Sequence, residues 1–380
     1  MITKTRGRIA RALVVALSVG ATLGLSAGTA QAGPTTTSPA KFSPAKIVGH
    51  VYQATNEADH NAVAVFDRLS DGTLRPRGTA PTGGAGGGGS LASQGGLVRD
   101  GSLLFVVNAG DNTISVLDTK GLNAKGGSLR LRDRIGSGGD RPVSLTVRRG
   151  VGYVLNHDSD TIVGFRYTSA GHLRSLPGST RRLTRNPAGG LTDAAQIQFS
   201  PNGRRLVVTE KASNSIDTFK VRSGRAGVAR PHPSAGMVPY GFDFDRRETL
   251  VVSEAATGSA SSYRVAPRFR AVTKALGNTQ AAACWVAISG HYAWVVNAAS
   301  DSISSYRIHR NGSLTLVKAV AASTGMGPTE AAVAPGGQSL QVRLGDGSVQ
   351  SFRIGAHGTL SSLGTARVTT NYGIAGLAAD

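Results

Sequence analysis

Glu210 and Glu254 close two equivalent apolar runs, VVTE (Val207–Glu210) and VVSE (Val251–Glu254), at a slot that four other copies of the pattern fill with Asn. Glu is a poor turn former, so its use there needs another reason. Two carboxylates facing a narrow low-dielectric channel would have raised pKa values and could act as general acid and base. The alternative is an ion pair, for instance with Lys211 or Arg141. Arg141 follows Gly138-Gly139-Asp140 and precedes Pro142. Its guanidinium could grip a carboxylate or phosphate in bidentate fashion, or stabilise an enolate or oxyanion. Equally it could pair with Asp140 or Glu210. His157 directly follows Asn156 at the same rim and could carry a proton, or simply shape the turn. Glu210, Arg141, His157 and Glu254 are therefore the catalytic candidates. Gln94, Gln196, Tyr240 and Glu330, at the starts of first strands, are candidates for substrate binding. So are Asn108, Asn156 and Asn297, at the ends of second strands, although Asn also tolerates left-handed backbone and bonds its own turn. Asn56 and Cys284 occupy equivalent places.

The elements that must position these residues are repeats. FVVNAGDNTISVL (Phe105–Leu117) has six counterparts, at Val51–Phe66, Tyr153–Phe165, Val207–Phe219, Val251–Tyr263, Trp294–Tyr306 and Gln341–Phe352. Each unit reads as an apolar strand, a tight turn such as Pro201-Asn202-Gly203, a second strand, a polar turn, a third strand and a weaker fourth. The third strands end on Phe66, Leu117, Phe165, Phe219, Tyr263, Tyr306 and Phe352, spaced 43 to 54 residues apart. That period suits a four-stranded propeller blade and is too long for a leucine-rich repeat. The 51 glycines and 5% aromatics fit many short strands better than long helices.

The ends complete the scheme. The first repeat, from Val51, lacks a first strand, and Tyr372–Ala378 resembles a first strand with nothing after it. A lone strand would leave its hydrogen-bonding groups unpaired. The expected fold is thus all-β: a seven-bladed propeller of four-stranded antiparallel blades, its ring closed by Gly373–Ala378 completing the first blade near Val51. It should occupy residues 47–380. Residues 1–32 read as a signal peptide: Lys4, Arg6, Arg8 and Arg11, then an apolar run, then Ala30-Gln31-Ala32 as cleavage site. The protein should therefore be secreted. Residues 33–46, rich in Thr, Ser and Pro, read as a disordered lead-in. Cys284 is the only cysteine, so no intrachain disulfide can form, and it reads as a small buried hydrophobe. The net charge of +20 suits a solvated basic surface or one that adheres to an anionic cell-wall polymer. No helix-turn-helix or RNP-like pattern accompanies it, so nucleic acid is not an expected partner. A monomer is expected.

Ser200-Pro201-Asn202-Gly203-Arg204, the turns Asn108–Ile114 and Asn297–Ile303, and the turns Asp71–Leu74 and Asn311–Leu314 resemble the lactonase family of seven-bladed propellers. That family includes cycloisomerase-type 6-phosphogluconolactonases and carboxymuconate cyclases. The resemblance covers nearly all of the chain after the leader. It implies opening or closing of a lactone on a small anionic sugar acid or muconate-type substrate. Arg141 would hold the carboxylate, and Glu210 with His157 would move the proton, without a metal or other cofactor. Calcium-dependent propeller lactonases raise the alternative of a cation on the Asn and Glu oxygens, which the basic balance disfavours. Enzymes of the family tend to carry a Pro-His-x-His-like segment, and this chain has no His-x-His. A second reading therefore stays open: a non-catalytic propeller that binds a cell-envelope polymer or a protein.

Overall fold

The computed structural model describes residues 45–123, 126–368 and 376–380. The expected leader, and the expected lead-in up to residue 44, lie outside them. Among the described residues the chain forms seven antiparallel sheets. Their innermost strands are Leu377–Ala379, Leu97–Asp100, Pro142–Arg148, Ala194–Phe199, Pro239–Phe244, Ala283–Ser289 and Thr329–Val333. Each touches the next in this order, and Thr329–Val333 touches Leu377–Ala379, so the ring is closed. Numbered from the N-terminal side, blade 1 contains Leu377–Ala379, and blades 2 to 7 begin with the other six strands in turn. Six sheets have four strands. In blade 3 the outer position is split between Leu173–Ser175 and Arg181–Arg182, both paired to Thr161–Tyr167. Among the described residues no helix is long and apolar enough to cross a membrane.

Alternation along each strand puts the aromatic or Leu that ends the third strand into the layer between blades. Phe66, Leu117, Phe219, Tyr306 and Phe352 are fully buried, and Phe165 and Tyr263 nearly so. Each such side chain stabilises the fold by about 1.5–3 kcal/mol. The repeat period was therefore reporting core contacts. The hairpin turns follow from their residue types. Asn202 Oδ1 accepts from the Arg204 amide at 2.8 Å, and Gly203 supplies φ +72°. Asp71 and Asn311 do the same for the outer hairpins of blades 1 and 6, accepting from the amides and hydroxyls of Thr73 and Ser313.

Closure uses Leu377–Ala379, which pairs antiparallel with Gln53–Val51 and ends one residue beyond the segment expected from the sequence. Residues 373–375 lie outside the described part. Asp380 then locks the joint. Its Oδ1 accepts from the His50 amide at 2.5 Å and its Oδ2 from the Tyr52 hydroxyl at 2.7 Å. Its main-chain oxygen accepts from Arg68 Nε and Nη2 at 3.0 and 2.8 Å. Burial alone would raise the Asp380 carboxyl, but the His50 and Tyr52 hydrogen bonds outweigh it and hold it at about 2. A carboxyl held below its unfolded value stabilises the fold above pH 4, and that contribution is lost as pH falls from about 4 towards 2. Asp380→Ala should cost about 3 kcal/mol at neutral pH. Urea unfolding at pH 7 and pH 3 checks this: the variant should lose much of the wild-type difference between the two pH values.

Candidate functional site

The ring has two faces. On the leading face the inner strands begin, and on the trailing face they end. Each inner strand of blades 2 to 6 is introduced by a non-glycine residue in left-handed backbone: Ala92, Arg141, Asp193, Val238 and Ala282, with φ between 51° and 61°. In blades 3 to 6 the carbonyl of that residue accepts an amide from the residue just after the second strand. The pairs are Arg141 with His157, Asp193 with Lys211, Val238 with Ala255, and Ala282 with Ala298. These four pairs are structurally equivalent. In blades 5 and 6 the side chains are small and apolar. In blades 3 and 4, which are neighbours, all four are ionisable.

Those four side chains, with Asp158, form one connected cluster. His157 Nδ1 lies 2.6 Å from Asp158 Oδ1, and Nε2 lies 2.9 Å from Asp193 Oδ1. Arg141 Nη1 sits 3.5 Å from His157 Nδ1 and 3.4 Å from Asp158 Oδ1. Lys211 Nζ is 3.1 Å from Asp193 Oδ1, donates to the Ala92 carbonyl at 2.8 Å, and lies 4.9 Å from the centre of the Tyr240 ring. A carboxylate on each ring nitrogen favours the imidazolium, which can donate to both. The Asp193 hydrogen bond is the main cause that raises the His157 pKa, against the effect of burial. The same bond, with help from Lys211, holds Asp193 at about 2. Burial lowers Lys211. The imidazole itself is nearly buried, while Arg141, Asp158 and Asp193 remain about 40% exposed, so a ligand can reach them from solvent.

Of the four catalytic candidates, Arg141 and His157 meet. Glu210 and Glu254 belong to a different arrangement. Both are fully buried. Glu210 Oε2 accepts from Ser213 Oγ at 2.6 Å, and Oε1 has no partner. Burial, with the neighbouring Asp217 carboxyl, pushes Glu210 up to about 9. Glu254 accepts from Ser234 Oγ at 2.8 and 3.0 Å and from the Tyr263 hydroxyl at 3.2 Å, and burial raises it too. Neither makes an ion pair among the described residues: Lys211 pairs with Asp193, and Arg141 with Asp158. The Asn side chains of the same slot staple adjacent blades. Asn108 accepts from Thr82 of the preceding blade and donates to Thr113 and Ser115. Asn297 accepts from Asn278 and donates to Ser302 and Ser304. Asn156 reaches the Ser137 carbonyl at 3.5 Å. Asn56 bonds Gly87 and Gly89 in the linking loop.

Gln94, Gln196 and Glu330 line the central channel, a cavity of ≈330 Å³. Gln94 and Gln196 both use their amides as an extra peptide unit. Gln94 bonds the N–H and C=O of Val286, and Gln196 those of Phe242. Residues 93–95 bond to blade 3 through Val143 and Leu145, to blade 4 through Ala195, to blade 6 through Val286 and to blade 7 through Glu330. A segment in reach of four blades must lie on the axis, and it closes the channel from the leading face. Gly241 permits this, since a Cβ there would overlap the Gln94 side chain and the Cys284 carbonyl. Glu330 faces the buried Arg343, and burial pushes it to about 8. Tyr240 packs edge-on against Trp285, and burial pushes the unpaired Cys284 thiol to about 12. Arg141, His157, Glu210 and Glu254 do not line the channel. Sequence reasoning missed Asp193 and Lys211 as site residues. The signal was register: Asp193 precedes its inner strand as Arg141 does, and Lys211 follows its slot as His157 does. Among the described residues no group of three or more His, Cys, Asp or Glu is arranged to hold a metal ion.

The family described as lactonase, 7-bladed beta-propeller, matches residues 147–282, which include His157, Asp193 and Lys211. No curated protein matches. Among solved structures the chain is similar to a candidate 6-phosphogluconolactonase from Bacteroides fragilis, at 17% identity over 90% of this chain and 99% of that one, TM-score 0.66. It is similar to a Lactobacillus plantarum protein at 14% identity, covering 87% and 99%, TM-score 0.69. It is also similar to the periplasmic gluconolactonase PpgL of Pseudomonas aeruginosa, at 16% identity, covering 85% and 97%, TM-score 0.64. At such identities the likeness is one of fold.

Glu210 has a direct consequence for stability. An acid whose folded pKa is raised to about 9 destabilises the fold progressively as pH rises from about 4.5 to 9. Glu210→Gln should therefore raise the melting temperature at pH 8 and flatten its decline with pH. Calorimetric melting from pH 5 to 9 checks it, and a variant that melts lower at pH 8 would show that the carboxyl is needed as a charge.

Proposed function

We propose that this seven-bladed β-propeller, whose residues 147–282 match the lactonase family, opens, or in reverse forms, a lactone of a small anionic substrate at the leading face of blades 3 and 4. One observation carries this reading. At four equivalent positions in four successive blades, only the adjacent blades 3 and 4 carry ionisable side chains, and those converge on His157.

The chemistry needs an anchor for the substrate anion, a donor for the ring oxygen and an acceptor for the proton of water. Arg141 is half-exposed and presents guanidinium N–H groups to a carboxylate or phosphate. His157, held as the imidazolium by Asp193, gives its Nδ1 proton to the ring oxygen once bound substrate displaces Asp158 from that nitrogen, as the ring oxygen's bond to the acyl carbon breaks. Asp158, exposed beside it, takes a proton from the attacking water, whose oxygen becomes part of the new carboxylate. Lys211 fixes Asp193 and so positions the imidazole. Glu210 and Glu254, buried in blade staples, are outside this scheme. A sugar acid or a muconate-type acid is the substrate class that Arg141 supports. Residues 1–32 support export of the protein. The second reading, a binding propeller, draws support from the segment 93–95, which closes the channel and leaves a shallow site.

A panel of five- and six-membered lactones, with and without a carboxylate or phosphate, tests the proposal. His157→Gln should lower kcat by about 10²–10⁴-fold. Arg141→Ala should raise KM about tenfold or more on anionic lactones alone. Since His157 acts in its protonated form, kcat should fall as pH rises through its raised pKa. No turnover by the wild-type protein on any lactone would remove the enzymatic reading, and calorimetric titration with the open-chain acids would then test binding.

A further inference from the structure

We infer that the trailing face carries a groove, built across blades 5 and 6, that binds the phosphodiester backbone of an anionic polymer. The groove is remote from His157 and goes beyond the proposed lactone chemistry. Two adjoining cavities of ≈580 and ≈710 Å³ share Arg247 and His291 in their walls. Arg307, His309 and Arg310 line the first, and Arg246 lines the second. All of these side chains are exposed except His309, which is half-buried.

The arrangement is braced. Arg264 donates from Nη1 to the Arg247 carbonyl at 2.8 Å and from Nη2 to the Arg310 carbonyl at 3.0 Å. One half-buried guanidinium thus ties together the two turns that project Arg247 and Arg310, and adds its own charge beneath them. The acids that could neutralise the groove are committed elsewhere. Asp245 is buried, and its Oδ1 accepts from the amides of Arg247 and Thr249 at 2.8 and 2.7 Å. Glu248 is bound to Asn202, at 2.6 and 2.8 Å. Among the described residues Arg246, Arg247, Arg307 and Arg310 form no ion pair, in contrast to Arg75, Arg77, Arg134 and Arg141.

Cations spread along a groove match a chain of single negative charges better than one compact anion, which would engage one or two of them. Arginine favours phosphate through bidentate hydrogen bonds. Among the described wall residues the only Phe, Tyr or Trp is Phe244, which is buried, so bases have none of these larger rings to stack on. Recognition should then rest on the phosphodiester backbone and be indifferent to what it carries.

Fluorescence anisotropy of the full chain with labelled polyglycerol phosphate, and separately with a labelled oligothymidylate of equal charge, tests the groove. The triple variant R247Q/R307Q/R310Q should weaken both by about tenfold or more and reduce the slope of log affinity against log salt by about 2. R174Q/R182Q/R222Q, exposed arginines of blades 3 and 4 removed in equal number, should change affinity less than about twofold. Circular dichroism melting confirms that both variants fold, and unchanged lactone kinetics in the groove variant would separate this site from that of His157. Loss confined to one polymer would contradict recognition through the shared phosphodiester backbone and overturn the groove as argued. Equal weakening by the two triple variants, or no binding by the wild-type chain to either polymer, would overturn it.

Discussion

Everything on the leading face depends on the ring being closed. Seven twisted sheets packed side by side leave two open edges unless the first and last are joined. Here the joint is a three-residue strand, Leu377–Ala379, on Val51–Gln53, with Asp380 bonded to His50, Tyr52 and Arg68 beyond it. Three ladder residues alone would hold weakly. The charge-assisted hydrogen bonds to Asp380 make the short strand sufficient, because a half-buried carboxylate deprived of them would be costly. Closure brings blade 1 against blade 7 and sets the diameter of the inner ring. That diameter is what allows one segment, 93–95, to touch blades 3, 4, 6 and 7 at once.

The polar groups of the inner ring divide into those that hold the blades and those that join the ionisable cluster at the mouth. Asn108, Asn297, Glu210 and Glu254 occupy the same slot and spend their side chains chiefly on serines and threonines of neighbouring strands and turns. The residues one step further along, His157 and Lys211, turn to the mouth instead. A displacement of one position thus separates a staple within the blades from the ionisable cluster at the mouth. The cluster on blades 3 and 4 combines a shielded imidazole with exposed carboxylates and an exposed guanidinium, which is the combination that catalysis at a shallow site requires.

The fold was legible in the sequence because its signals are local and repeated. The residue ending each third strand becomes core, and Asn112, Asp160, Asn214 and Asp301, just before third strands, all adopt positive φ. These residue types report their own backbone without help from distant parts of the chain. The site was only partly legible. Arg141 and His157 were visible as chemistry at a rim, yet their partner Asp193 lies 36 positions beyond His157, and only its register in the repeat marks it. Glu210 drew attention as an oddity of the repeat, but whether it faced the channel or the space between strands depends on packing. The axial segment was illegible for a related reason: Gln94 meets Val286 across 192 positions, and only closure creates that contact.

Native-state hydrogen exchange resolved by peptide measures the joint directly, because amides protected only by global unfolding report the full stability of the ring. The amides of Val51–Gln53 and Leu377–Ala379 should exchange in the same slow class as those of the inner strand Ala194–Phe199. Rapid exchange at Leu377–Ala379, with Ala194–Phe199 still protected, would contradict the account, since the ring would then hold without its joint.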